Sequence, residues 1–435
     1  MAMNQVDWRQ PWDGDFGAAT PAALPAITNW LTKSGGNLYD GAARFMICGS
    51  HYIETICGLD SAGERSGVAK RVHSNGANLV RMLGFNNKNY QFGDAARACW
   101  EAYVWRRSVS VGTSERCTAN GNWYRCTSGG TTHSAGEGPS HGVGSVAETG
   151  GVVWEYISAA PASLYNEVYF ERMDDTIYQL NTRGIRVWLT FDHGDKPRFN
   201  SLLPRNTGHQ TVYADHGMGY SDEWMTCYEA HIAVFLNRNT TASGGAKWSA
   251  NKGIPIIQCF NESSILAAFT GSRYDDIVNE VGGTSGGVHG GSGYWRAELE
   301  AKFQAWKTAN RPAWTIPGWG PGSTQTFPIK ANWDAAGATD KGYLVEFLLY
   351  LEGLCAARIK AFILSHSPSA LVCYTDSGYT SNAVLATYDD ISSDHHYSGN
   401  DGTLPYNTRD PVMDDPNGFF EWGGRFESRT TAQNV

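Results

Sequence analysis

The residues best able to do chemistry collect at the ends of apolar runs. The run 254–260 (IPIIQCF) closes on Asn261-Glu262. Neither side chain serves a core, and a carboxylic acid at the mouth of a buried strand is placed to give or take a proton. Arg81 interrupts the run 78–83 (NLVRML). The run 185–191 (IRVWLTF) leads into Asp192-His193-Gly194, and a weaker run at 388–392 is followed by Asp394-His395-His396-Tyr397. Together these make a set for proton transfer and hydroxyl binding, provided that all the runs end on one side of the molecule.

Strands alternating with helices supply that geometry. The segments 44–48, 78–83, 185–191, 254–260 and 370–374 read as strands, with 388–392 a weaker sixth. The stretches 64–75, 162–183, 221–238, 294–309 and 341–365 read as helices, and Gly76 and Gly184 stand where the first two must stop. Such alternation implies βα units and a parallel sheet. The segments 86–160, 194–220, 270–293, 310–340 and 398–435 read as irregular. Each follows the C-terminal end of a strand or interrupts the helix after it, the side on which a (β/α)8 barrel carries its active site. The expected fold class is α/β, a (β/α)8 TIM-barrel type with long loop insertions. It is expected to be incomplete at the C-terminus, with about six βα units visible. Residues 1–42 read as an N-terminal extension packed on the barrel. Residues 43–435 read as the catalytic domain, with insertions at 86–160, 194–220, 270–293 and 310–340. An open doubly wound sheet is the structural alternative, and it usually announces a nucleotide loop. The segment 142–147 (GVGSVA) has no strand before it and reads as a plain loop.

Composition narrows the function classes. In 435 residues, 41% are hydrophobic and 18% charged, and the net charge is −9 with no basic block. Nucleic acid is therefore not an expected partner. Gly 50 and Pro 16 stay well below the roughly 25–30% of low-complexity sequence. No apolar stretch reaches the roughly 18 residues of a membrane span, so no membrane is expected. The N-terminus MAMNQVDWRQPWDGDFG has neither a basic nor an apolar leader region, which reads as a cytoplasmic or virion-associated location. Aromatics are 12%, and many lie beside Gly, Asn and Ser: Trp123, Tyr124, Trp248, Trp295, Trp314, Trp319, Trp333 and Trp422. Such rings suit the C–H faces of sugars, or pack loops onto a core. Of nine cysteines, Cys48, Cys259, Cys355 and Cys373 read as buried thiols, while Cys117 and Cys126 flank a turn that a disulfide could close. The GTSGG at 283–287 lies in a glycine run with no strand before it, so it is no nucleophile elbow. Asp394-His395-His396 lacks a regular ligand spacing, and no metal is expected.

The segments 45–52, 76–81 (GANLVR), 183–187 (RGIRV) and Asn261-Glu262 resemble the large clan of retaining (β/α)8 glycoside hydrolases that contains the cellulase and β-galactosidase families. The resemblance covers roughly residues 43–397 and is clan-level, because its motifs are short. It implies that Glu262 is the general acid/base. It further implies that Arg81 and Asn261 position the nucleophile and the sugar 2-hydroxyl, and that His193, His396 and Tyr397 shape the subsite beside the cleaved bond. The chemistry accounts for the residue types. A retaining enzyme needs a proton for the leaving oxygen and a second carboxylate as nucleophile about 5–5.5 Å away. No metal or organic cofactor is required.

The second carboxylate belongs on a seventh strand, and the segment 398–435 is short of the order of 60 residues that two further βα units need. The nucleophile is therefore expected beyond Val435, with Glu421 and Glu427 as candidates inside the sequence. The leading expectation is a retaining glycoside hydrolase acting on a polysaccharide or oligosaccharide. The alternative is a non-catalytic carbohydrate-binding or structural virion protein of the phage-tail type, on a decayed glycosidase barrel. Its partners would include other structural proteins of the virion.

Overall fold

The computed structural model describes residues 26–53, 61–83, 102–105, 110–133, 138–160, 163–191, 219–240, 245–261, 264–270, 294–317, 319, 326–375, 380–395 and 424–427. The described part opens with an antiparallel sheet of β1 (Leu31–Ser34), β2 (Asn37–Asp40) and β3 (Ala43–Phe45). Left-handed glycines turn both hairpins: Gly35 and Gly36 at φ 54° and 82°, and Gly41 at 62°. β4 (Gly49–Ile53) follows. α1 (Ala62–Ser74) starts on a capping box: Ser61 Oγ accepts from Glu64 N while Glu64 accepts from Ser61 N at 2.9 Å. It ends before Gly76, whose φ of 77° releases the chain into β5 (Leu79–Leu83).

A second sheet then forms from β6 (Tyr103–Val104), β8 (Arg116–Ala119), β9 (Asn122–Ser128), β11 (Ser145–Ala147) and β12 (Val153–Ala159), in the order β11-β12-β9-β8-β6. β7 (Ser110–Val111) pairs with β10 (Gly130–Thr131) alongside. α2 (Glu167–Asn181) is capped by Asn166, and Gly184 at φ 77° lets the chain enter β13 (Arg186–Thr190). α3 (Asp222–Leu236) is capped by Ser221 and precedes β14 (Ile256–Gln258). Among the described residues, four helices come before the next strand: α4 (Ile265–Thr270), α5 (Tyr294–Asn310), α6 (Lys330–Ala335) and the long α7 (Ala338–His366). β15 (Leu371–Cys373), α8 (Asn382–Tyr388), β16 (Ser392–His395) and β17 (Gly424–Glu427) complete the described elements.

β4, β5, β13, β14 and β15 form one sheet in which every neighbouring pair is parallel, and their order in space is their order along the chain. Alternation divides the sheet into two faces. Val80, Met82, Val187, Leu189, Ile257, Val372 and Tyr374 pack into the core shared with the helices. Leu79, Trp188, Ile256, Leu371 and Cys373 pack instead with Leu31 and Leu38 of the N-terminal sheet. A doubly wound sheet reverses its order at a switch point and carries helices on both faces. Neither feature occurs among the described residues. Unreversed order with helices on one face is the arrangement of a sector of a βα barrel.

Arg186 ties the N-terminal sheet down. Its guanidinium donates to Asp40 Oδ2 at 2.6 Å, Asn29 O at 2.9 Å and Lys252 O at 3.0 Å, and lies 5.7 Å from the Phe45 ring centroid. Three hydrogen-bonded acceptors offset the cost of burying this charge.

Several sequence expectations change. The segment 44–48 straddles the end of β3 and an extended link, and the first parallel strand is 49–53. The link is clamped by Asn78, which donates to Met46 O at 2.7 Å and accepts from Cys48 N at 2.9 Å. Cys48 is accordingly exposed, while Cys259, Cys355 and Cys373 are buried. The segment 86–160 is not irregular throughout, since the second sheet has its own core of Trp105, Val111, Cys117, Ala119, Tyr124, Cys126, Val152 and Trp154. Its alternating polar and aromatic residues are those of a half-buried antiparallel sheet. Residues 145–147 are its edge strand rather than a loop. Cys117 and Cys126 are free thiols, not a disulfide. The sixth strand begins at Ser392, after α8, and pairs antiparallel with β17 inside the segment read as polar loop. Between α8 and β16, Asp390 lies along the edge of β15. Its N–H donates to Val372 O at 2.8 Å, and its carboxylate accepts from Val372 N at 3.0 Å.

Candidate active site

The sheet face that carries Leu79 and Trp188 becomes polar toward the C-terminal ends of its strands. Arg81, one alternation on from Leu79, is fully buried. Its Nε donates to Thr190 Oγ1 at 3.1 Å and to Gln258 Oε1 at 3.0 Å, and its Nη2 donates to Asn261 Oδ1 at 2.7 Å. These partners come from β13, β14 and the residue that ends the described part of the β14 segment. The register accounts for the meeting. Arg81 pairs with Trp188 and Ile256 pairs with Trp188, so Thr190 and Gln258 stand one alternation further on and on the same face. His51 of β4 is level with Arg81 in the ladder on the other side.

Gln258 is the hub. Its Oε1 accepts from Arg81 Nε, from Trp188 Nε1 at 3.1 Å and from Thr190 Oγ1 at 3.2 Å. Its Nε2 donates to Phe260 O at 2.8 Å. A buried amide whose acceptor and donor sides are both used fixes its own orientation. The strand end is held from behind as well. Cys259 N donates to Cys373 O at 2.8 Å, Phe260 N to Tyr374 O at 2.9 Å, and the Tyr228 hydroxyl to Cys259 O at 2.6 Å. The Phe260 ring stacks on Tyr228 at 5.1 Å and meets Tyr374 edge-on at 5.3 Å. Asn261, half-buried, is thus delivered on a rigid backbone with its amide oxygen on the Arg81 guanidinium.

Of the residues singled out in the sequence, Arg81 and Asn261 are brought together. Glu262, His193, His396, Tyr397 and Glu421 lie outside the described residues, and Glu427 is described only as the last backbone position of β17. The glycine run at 283–287 also lies outside them. Thr190, Trp188 and Gln258 were missed. The available signal was parity: Thr190 and Gln258 are polar residues inside otherwise apolar buried strands. Several aromatics read as a sugar-facing surface are built into the core. Trp248 and Trp333 are buried, and Trp314 and Trp319 pack against the main cluster. Trp248 Nε1 donates to Asp174 Oδ1 at 3.1 Å and Trp314 Nε1 to Asp340 Oδ1 at 2.8 Å. Among the described residues, no group of His, Cys, Asp or Glu is placed to hold a metal ion. Also among them, no helix is long and apolar enough to cross a membrane.

A guanidinium fixed by neutral acceptors, with an asparagine amide beside it at the strand ends, can orient a sugar hydroxyl or a carboxylate. No protein-family model matches the chain, and no curated protein matches it. Among solved structures, the chain is similar to an endo-1,4-beta-mannanase from Rhizomucor miehei, with 12% identity and a TM-score of 0.36 over 81% of this chain and 64% of that one. It is also similar to a glycoside hydrolase family 5 mannosidase from Rhizomucor miehei in complex with mannosyl-fructose, with 12% identity and a TM-score of 0.40 over 89% and 65%. A third is the endo-1,4-beta-D-mannanase of Thermotoga petrophila RKU-1, with 12% identity and a TM-score of 0.35 over 78% and 57%. The chain therefore spans 57–65% of the length of these structures. At these TM-scores the likeness assigns neither a substrate nor a residue role to this chain.

Proposed function

We propose that this chain is a glycoside hydrolase that cleaves the glycosidic bonds of a polysaccharide by retaining double displacement, with Glu262 as general acid/base. The observation that supports the reading is the hydrogen-bonded set Arg81–Gln258–Thr190–Asn261 at the C-terminal ends of three adjacent parallel strands. The residue after Asn261 in the chain is Glu262. In this reading Arg81 and Asn261 orient the sugar and the attacking carboxylate, His193, His396 and Tyr397 line the neighbouring subsite, and Glu262 protonates the leaving oxygen. Glu421 and Glu427 are the nucleophile candidates within the sequence.

The test is hydrolysis of cellulose, galactomannan, xylan and mixed-linkage glucan by the chain and by Glu262→Gln, with the anomer of the first product followed by NMR. With Glu421 or Glu427 as nucleophile, retention of configuration is expected, with a loss of about 10²–10⁴-fold in Glu262→Gln and sugar binding kept. Full activity of Glu262→Gln on these unactivated substrates overturns the assignment. Binding without hydrolysis by the unaltered chain rules out Glu421 and Glu427 as nucleophile and leaves the carbohydrate-binding alternative or a nucleophile beyond Val435.

A further inference from the structure

Glu352 is a carboxylic acid in the middle of α7, with no exposed surface. The spacing of Leu348, Leu351, Cys355 and Ile359 carries it onto the buried stripe of the helix. It meets the far side of the β14 strand end. Its Oε2 accepts from Leu266 N at 2.8 Å, and its Oε1 accepts a short hydrogen bond from the Tyr374 hydroxyl. Ser264 donates to it through its side chain and Ile265 through its backbone. Ser264 in turn opens α4, its Oγ accepting from Ala267 N at 2.9 Å and its carbonyl from Ala268 N at 3.0 Å. Tyr374 is the same residue that accepts from Phe260 N through its backbone and packs on the Phe260 ring.

One connection is therefore gripped at both ends. Gln258 and Arg81 hold Phe260 and Asn261 before it; Glu352 holds Ser264, Ile265 and Leu266 after it. Only residues 262 and 263 lie between. We infer that Glu352 is a positioning residue for Glu262, fixing the exit of the short connection that bears the acid. The inference rests on the reading of Glu262 as general acid/base. A carboxyl surrounded by four donors is an expensive way to start a short helix, since a serine cap alone serves that purpose. Burial pushes the Glu352 pKa up to about 7, against the hydrogen bonds from Tyr374, Leu266, Ser264 and Ile265, which pull it down.

A residue that positions only the acid has a recognisable kinetic signature. Protonation of the leaving oxygen matters for a sugar leaving group and hardly at all for dinitrophenolate, which departs unprotonated. The full chain, Glu352→Gln, Tyr374→Phe and Glu262→Gln are compared on cellohexaose and mannohexaose and on the dinitrophenyl glycosides of cellobiose and mannobiose. Glu352→Gln is expected to lose about 10-fold or more in kcat on the hexasaccharide that the chain cleaves, with KM within about twofold. On the matching dinitrophenyl glycoside its kcat/KM, which reports the first displacement alone, should stay within about twofold, while kcat falls because the same carboxyl serves as base in the second displacement. Tyr374→Phe, which removes one donor from the carboxyl, should show the same selectivity to a smaller degree, and it decides the matter if Glu352→Gln does not fold. Equal losses in kcat/KM on both substrate types mean a merely structural role and overturn the inference, as does no loss on either. If Glu262→Gln itself lacks the leaving-group dependence, the acid/base reading falls. If Glu262→Gln has it and Glu352→Gln does not, only the positioning role falls.

Discussion

Replacing Gln258 by Leu tests the polar floor of the site most directly. Leu is nearly the same size, so the change removes hydrogen-bonding capacity with little change in volume. In the native arrangement Oε1 accepts from Arg81, Trp188 and Thr190, and Nε2 donates to Phe260 O. After substitution Arg81 Nε keeps Thr190 Oγ1, 3.1 Å away. Trp188 Nε1 and Phe260 O lose the partners described for them, in a region closed to water. Each hydrogen bond lost is worth about 0.5–1.5 kcal/mol, so the expected loss for these two is about 1–3 kcal/mol. Gln258→Glu is the informative partner. It keeps an acceptor for Arg81, Trp188 and Thr190 and loses the bond to Phe260 O, so it should cost less than Leu. Urea unfolding followed by tryptophan fluorescence gives both values. A loss under about 1 kcal/mol in Gln258→Leu would mean that the network is not what stabilises the strand ends. A loss in Gln258→Glu equal to that in Leu would refute the assignment of Oε1 as the hub.

Two further outcomes follow from buried titratable groups. Glu352 has a folded pKa of about 7 against an ordinary 4.5, with burial the chief cause. The folded protein then holds a proton that the unfolded chain has already released between these values. The stabilising contribution is complete below pH 4.5 and lost as pH rises through about 7, a change of about 3 kcal/mol. Glu352→Gln should remove that slope from urea unfolding curves taken across this window, and an unchanged slope would show that the carboxyl is not the titrating group. Burial also pushes the Cys117 thiol well above its ordinary value and the Cys126 thiol to about 11. An aromatic disulfide reagent at about pH 8 should leave both unlabelled in the folded chain and label them in urea; rapid labelling of the folded protein would contradict the packing of the second sheet.

The later strands of the parallel sheet were legible because strands buried on both faces are continuous apolar runs, as in 185–191, 254–260 and 370–374. Gly76 and Gly184 marked the first two helix ends for a steric reason, since both positions need positive φ. The first strand was displaced because the apolar run at 44–48 belongs half to an antiparallel hairpin, while β4 itself (GSHYI) is polar. The second sheet escaped notice because a half-buried antiparallel strand such as NWYRCTS looks like an aromatic loop when read alone. The meeting of Arg81 with Asn261 followed from topology. The role of Gln258 did not, because one amide inside an apolar strand says nothing about which three donors surround it. Glu352 is the hardest case. Its helical position is that of a core residue, and its chemistry is that of a surface one.

The seal between the N-terminal sheet and the parallel sheet bears on how the chain is made. Arg186 bonds to Asn29 across 157 residues of sequence, and Leu31 and Leu38 pack against Leu371 near the other end of the chain. Neither surface finds its final cover until β15 has left the ribosome. At about 5–20 residues per second, roughly 15–60 s separate the emergence of β5 from that of β15. Over that interval the apolar sides of β5 and α1 are nascent surface awaiting a partner, a natural target for chaperones. The sheet at 103–159 carries its own core and closes mostly through neighbouring strands. It is the part of the molecule equipped to fold first, while its host is still incomplete.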